Sequence, residues 1–107
     1  MRASETPPWT PDATPPVTVV VRRGVVVRGR VQGVWFRESS RLRAQELGVA
    51  GWVRNTAAGT VEAELEGSER AVAELVAWFA VGPPQAHVAA IEVTELAPRG
   101  ETGFRVR

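Results

Sequence analysis

The stretch Gly29-Arg30-Val31-Gln32-Gly33-Val34-Trp35-Phe36-Arg37 holds the residue types best suited to gripping an anion. Gly29 and Gly33 can take backbone angles that turn successive N–H groups inward, and neither has a side chain to block an approaching oxyanion. If a helix starts directly after this loop, its first N–H groups have no intrahelical acceptor, and its dipole adds positive potential at the same point. Arg37, about one residue into such a helix, brings a planar fork that can make two parallel hydrogen bonds to a phosphate. The segment is not a Walker loop, because the lysine is missing, nor a dinucleotide fingerprint, because Val31 stands where glycine is needed. On residue types alone two readings fit equally: an anion cradle, or a tight turn with Gly33 as spacer and Arg37 solvated.

Composition narrows the rest of the chemistry. All 13 basic side chains of the 107-residue chain are arginines, there is no cysteine or tyrosine, and His87 is the single histidine. No Schiff base, lysine base, thiolate nucleophile or sulfur-ligated metal is possible. Any Ser-His-Asp triad would have to run through His87, which has no partner histidine and is assigned no role. The isoelectric point near 9.0 invites a nucleic-acid reading, but the net charge is only +1. Without lysine, tyrosine or cysteine little titrates between pH 7 and 10, so one surplus charge carries the isoelectric point far up. Neither a nucleic-acid backbone nor a membrane is expected as a partner.

Residues 1–16 contain five of the eight prolines and no apolar periodicity, and are expected to form a flexible extension. Residues 17–107 then form one domain. There is no secretory pattern and no long apolar run, so a cytoplasmic protein is expected. Valine-rich 21–29 predicts a first strand, with a bulge or close approach at Gly24. A helix follows over 36–47, with Phe36, Ser40, Ala44 and Leu47 on one stripe and Gly48 as its cap. A hairpin comes next: a strand over 49–55, the turn Thr56–Gly59, and a strand from Val61 to Glu66 in strict alternation. Ser68 caps a second helix bearing Val72, Leu75, Val76 and Phe79, which Gly82-Pro83-Pro84 stops. Strands at 86–96 and 104–106 complete a β-α-β-β-α-β order with a trailing strand. The fold class is therefore α+β, a ferredoxin-like split βαβ sandwich with two helices on one face of an antiparallel sheet.

The motif GRVQGVWFR followed by GVAGWVRN resembles the acylphosphatases, and the resemblance runs from about Val21 to Arg107. Gly59–Glu62, Gly82-Pro83 and Phe104–Val106 agree with it as well. It implies hydrolysis of the carboxyl–phosphate bond of acyl phosphates, without metal or other cofactor. It also implies catalytic roles for Arg37, which binds the phosphate, and Asn55, which orients the attacking water. The phosphate-binding loop is then Gly29, Arg30, Val31, Gln32, Gly33, Val34, Trp35 and Phe36, with Gln32 contributing its backbone N–H only. Thr56 and Thr60 take supporting positions. The implied partners are a small acyl phosphate and inorganic phosphate, as product and inhibitor, and a monomer is expected. The chain departs from the family pattern at Ala57-Ala58, at a last strand without a terminal aromatic, and in residues 1–16.

Two other classes stay in view. One is a non-catalytic ferredoxin-like module binding RNA or another anion, although the strands show no run of exposed aromatics for stacking. The other is a domain of a carbamoyl-phosphate-handling maturation system, whose long chains carry zinc-finger cysteines that are absent here. Elsewhere, Trp52, Trp78, Phe36 and Phe79 are expected in the core, and Glu62, Glu64 and Glu66 on a solvated face. Arg22, Arg23 and Arg28 are expected at the surface or in salt bridges. Whether Trp35 flanks the acyl group is open at this point.

Overall fold

The computed structural model describes residues 19–107. The expected extension over 1–16 lies outside them. The elements are β1 (Val20–Arg30), α1 (Phe36–Leu47), β2 (Ala50–Asn55), β3 (Val61–Ser68), α2 (Glu69–Phe79), β4 (His87–Leu96) and β5 (Phe104–Val106). They form one sheet in the order β4-β1-β3-β2-β5, the ferredoxin-like arrangement read from the sequence.

The four long strands are antiparallel to their neighbours, while β5 pairs parallel with β2 and makes the sheet mixed. Connectivity explains this. β4 runs against β1 and so ends where β1 and β2 begin. The strap over 97–103 carries the chain from there to the far edge, where Phe104 pairs beside Gly51. A strand that enters at the start of β2 has to run with it.

Both helices form as their apolar spacing requires. In α1, Phe36, Ser40 and Ala44 are buried, and Ser40 Oγ donates to the Phe36 carbonyl at 2.6 Å. Gly48 caps the helix in the left-handed conformation, φ 72°. In α2, Ser68 Oγ accepts from the Ala71 N–H at 3.1 Å, and Val72, Leu75 and Phe79 turn inward. The core between helices and sheet takes Val25 and Val27 from β1, Val53 from β2, and Ala63 and Leu65 from β3. The expected bulge falls not at Gly24 but between Arg28 and Gly29, where β4 inserts an extra residue. Gly24 sits in regular register, and a Cβ there would meet Leu96 Cδ1 at 3.3 Å.

The sheet face turned away from the helices departs from expectation. Glu66 is buried rather than solvated, and Arg22 is only 1% exposed. Arg22 Nη1 donates to Glu66 Oε1 at 2.7 Å and its Nε to Glu64 Oε1 at 2.8 Å. Its Nη2 lies 2.7 Å from Glu64 Oε1 and 2.9 Å from Glu101 Oε1. Those contacts attract by charge but miss hydrogen-bond geometry, so Nη2 has no true acceptor. The cover comes from the strap: Arg99 and Gly100 donate their N–H groups to the two Glu66 carboxylate oxygens at 2.8 and 2.7 Å. Alternation on β3 placed these carboxylates on the outer face but could not reveal what crosses that face. Trp52 is likewise not core. It sits half-buried on the outer side of β2, with the Arg107 guanidinium 4.5 Å and that of Arg54 5.6 Å from its ring. Phe36 and Phe79 are buried as expected, and Trp78 packs beside them.

The Arg99 N–H, against the opposing effect of burial, joins Arg22 and the Gly100 N–H in holding the Glu66 carboxyl down to about 2. A carboxyl lowered in the folded state stabilises fully above its unfolded value of about 4.3, and this is lost as pH falls toward 2. Glu66→Gln should therefore melt below the parent at pH 7, and the gap should narrow as the melts are moved from pH 5 to pH 2. An equal gap at both ends would show that the carboxylate charge is not what holds the strap.

Candidate active site

The anion-binding loop begins where β1 leaves the sheet. The extra residue in β4, Ala89, pushes its backbone toward Gly29. A Cβ on Gly29 would stand 2.2 Å from the His87 carbonyl oxygen, and φ there is 126°. Only glycine fits. Arg30 is still in β1, paired through its backbone with His87, so the loop proper spans 31–35. Three side chains anchor it inward: Val31 is 1% exposed, Val34 5% and Phe36 2%. The Phe36 ring meets Trp78 and Phe79 edge-on at 5.4 and 5.5 Å between centroids.

With those anchors in the core, the intervening backbone is left facing outward. Gly33 has φ 74°, and Trp35 has φ 67° although it is not glycine. Left-handed residues next to right-handed ones gather successive N–H groups into a concavity suited to anions. The backbone N–H groups of residues 32–38 donate to no acceptor among the described residues; the first donor onward is Ser39, to the Trp35 carbonyl at 3.0 Å. Orphan N–H groups at a helix start are normal, but α1 has no side-chain cap at Trp35 to take up even one of them. This is the backbone geometry that the cradle reading of the glycines requires.

Arg37 lies in the first turn of α1 and is exposed, and no carboxylate among the described residues pairs with it. It lines a pocket of about 440 Å³ together with Gly33, Trp35, Glu38, Asn55 and Val106. The last residue of β2 thus shares one cavity with the loop, as the two motifs require. Trp35 stands at its mouth, 75% exposed. Glu38 is a potential intruder, but Arg41 grips it at 2.6 and 3.1 Å, and that hydrogen bond holds its carboxyl below the ordinary range.

The side chain of Gln32 does more than the sequence reading allowed. Its Nε2 donates to the carbonyls of Thr56 and Thr60, both at 2.9 Å, tying the loop to the β2–β3 turn that carries Asn55. Thr56 and Thr60 stiffen that turn, with hydroxyls 2.7 Å apart and the Thr56 N–H donating to the Thr60 carbonyl at 3.0 Å. Spacing in sequence gives no hint of this clamp, because Gln32 and Thr60 meet only once β1 and β3 have paired. Val106 was equally hidden, since alternation on a short last strand does not say which neighbour it joins. His87 is exposed and takes no part. No helix among the described residues is long and apolar enough to cross a membrane.

Comparison with known proteins gives one consistent answer. The family model described as acylphosphatase matches residues 23–106. An acylphosphatase of Thiobacillus denitrificans is 55% identical over 82 residues, 76% of this chain and 90% of that one. An acylphosphatase structure from Coxiella burnetii superposes with a TM-score of 0.79 at 41% identity, covering 82% of this chain and 93% of the other. One from Bacillus subtilis gives 0.79 at 36% identity, over 81% and 98%.

The clamp makes a measurable claim. Gln32→Ala removes the donor to two partly buried carbonyls, at about 1 kcal/mol each, so the melting temperature should fall and inorganic phosphate should bind several-fold more weakly. If the stability falls while phosphate affinity stays as it was, Gln32 supports the hairpin without shaping the cradle.

Proposed function

The chain belongs to the acylphosphatase family and hydrolyses the carboxyl–phosphate bond of acyl phosphates; from that premise we propose how its residues divide the reaction. The N–H groups of the loop from Gly29 to Phe36, with those of the first turn of α1, cradle the non-bridging phosphate oxygens. Arg37 closes over them with its fork. Asn55, at the rim of the same pocket, accepts a hydrogen bond from a water and holds it in line with the leaving group. The observation that carries this reading is the run of unpartnered N–H groups opening into the pocket that Arg37 and Asn55 share.

The chemistry suits such modest equipment. Water attacks phosphorus, the bond from phosphorus to the carboxylate oxygen breaks with both electrons going to that oxygen, and a stable carboxylate leaves. No strong general acid is needed for a leaving group of this kind. The water's proton passes to a phosphate oxygen or to solvent. A loose transition state spreads charge over the equatorial oxygens, so catalysis is positioning and electrostatics. Fixed amide dipoles and the planar guanidinium of Arg37 supply that electrostatic complement without general acid chemistry. Trp35 and Val106 offer apolar surface on the acyl side. Thr56 and Thr60 hold Asn55 at its height in the pocket.

The reading extends to context. Residues 17–107 act as the catalytic unit and 1–16 as an addition to it, which the match beginning at residue 23 supports. In this reading the unit works as a monomer in the cytoplasm, without metal. Among the described residues no three carboxylate or histidine groups cluster as a metal would require.

Arg37→Ala should cost on the order of 10³-fold or more in kcat/KM on an aromatic acyl phosphate, as for other arginines at transferring phosphoryl groups. Near-normal turnover by that variant would end the assignment of this arginine. Asn55→Ala should depress kcat while leaving competitive inhibition by inorganic phosphate nearly intact; a matching loss of phosphate inhibition would move Asn55 from water to substrate. The same assay run with excess chelator should be unaffected, and a collapse of turnover would require a metal.

A further inference from the structure

We propose that the outer face of the sheet carries a second anion site, built for a short condensed-phosphate chain. Arg22, Arg23, Arg28, Arg41, Arg43 and Arg54 each have a carboxylate partner. Arg99, Arg105 and Arg107 have none among the described residues, and all three line one pocket of about 180 Å³ with Trp52 and Glu101. Glu101 is turned toward Arg22 at 2.9 Å, a guanidinium it shares with Glu64 and Glu66, so the pocket sets three guanidinium groups against one carboxylate. A single phosphate carries at most two charges near neutral pH; a chain of two or three linked phosphates carries three or more and offers oxygens to several forks at once.

The walls of the pocket are held from behind. Glu66 fixes the backbone of Arg99 and Gly100 on the strap. Arg105 sits on β5 directly beside Trp52 in the parallel ladder. Arg107 is laid over the Trp52 ring at 4.5 Å, and its N–H donates to the Val53 carbonyl at 2.8 Å. Because two of the three guanidinium groups start from anchored backbone and the third rests on an aromatic face, less freedom is lost on binding than at a loose surface cluster. The space is well below that of clefts that enclose drug-sized ligands, roughly 300–1,000 Å³, which fits a phosphate chain rather than a whole nucleotide. Such a chain could be free or the tail of a nucleotide projecting from the pocket. The site lies on the opposite side of β2 from the core-facing Val53, and at the end of the sheet where β2 begins; Asn55 is at the other end.

The test is calorimetric titration of the full chain with inorganic tripolyphosphate in an Arg37→Ala background, which weakens the catalytic cradle. One equivalent should bind, and adding Arg99→Ala and Arg105→Ala should weaken it about tenfold or more, the loss of charge-assisted hydrogen bonds. ATP in place of tripolyphosphate distinguishes the two sources: equal affinity means that the chain alone is read, tighter binding by ATP that a nucleotide tail is the ligand. Arg99→Ala with Arg105→Ala in an otherwise unaltered chain should leave acyl phosphate hydrolysis unchanged. Binding that Arg37→Ala alone abolishes, or that ignores Arg99→Ala and Arg105→Ala, would overturn the proposal.

Discussion

A run of backbone N–H groups without an acceptor in the fold is open to a ligand, and this chain gathers those of residues 32–38, which find no acceptor among the described residues, at one place. Much of the architecture around them keeps them from finding partners. The bulge in β4 presses on Gly29 and turns the chain out of the sheet. Val31, Val34 and Phe36 are drawn into the core, so the loop cannot slide back into the ladder. Trp35 is held left-handed at a cost of order 1–3 kcal/mol for a non-glycine residue, which the buried neighbours on either side sustain. Only then does the start of α1 add its orphan donors to the same cavity.

The proposed mechanism also requires that water be held at a fixed height over that cavity. Asn55 ends a strand, where a side chain would ordinarily drift with its turn. The turn is stiffened internally by the threonine pair and externally by Gln32. Gln32 thus ties loop and turn together, and in the proposed mechanism its two hydrogen bonds set the distance between phosphate and water. Catalysis by positioning depends on this kind of second layer more than on the reactivity of any group.

Most of the frame was legible in the sequence. Helix limits followed from apolar spacing and from Ser68 and Gly48 as caps, and the alternation of 61–65 identified the central hairpin. The two motifs pointed to the cavity through their resemblance to the acylphosphatases; the glycine loop before a helix, on residue types alone, left a cradle and a plain turn equally open. What could not be read was contributed by residues distant in sequence. Glu66 looked like one of three solvated carboxylates because nothing in 97–103, a segment without periodicity, announces that it will lie across the sheet. Trp52 looked like core because alternation on β2 does not say which face is covered. The inserted residue in β4 breaks strict alternation, so that Val88 and Ile91, three positions apart, both pack against the core. The parallel sense of β5 was fixed by the strap's point of entry, not by its own three residues.

The makeup of the cavity has a bearing on how the enzyme meets changes in its surroundings. Backbone amides do not ionise, Asn55 is neutral, and the hydrogen bond from Arg41 holds the Glu38 carboxyl below its ordinary range. The pocket is lined without any histidine, the one side chain of this chain that ordinarily titrates near neutrality. In the proposed mechanism the acidity profile of turnover then belongs to the ligand: which ionic form of the acyl phosphate is present, and how strongly the released phosphate competes as it sheds its second proton. An enzyme arranged in this way leaves the sensing of acidity to the molecules it handles.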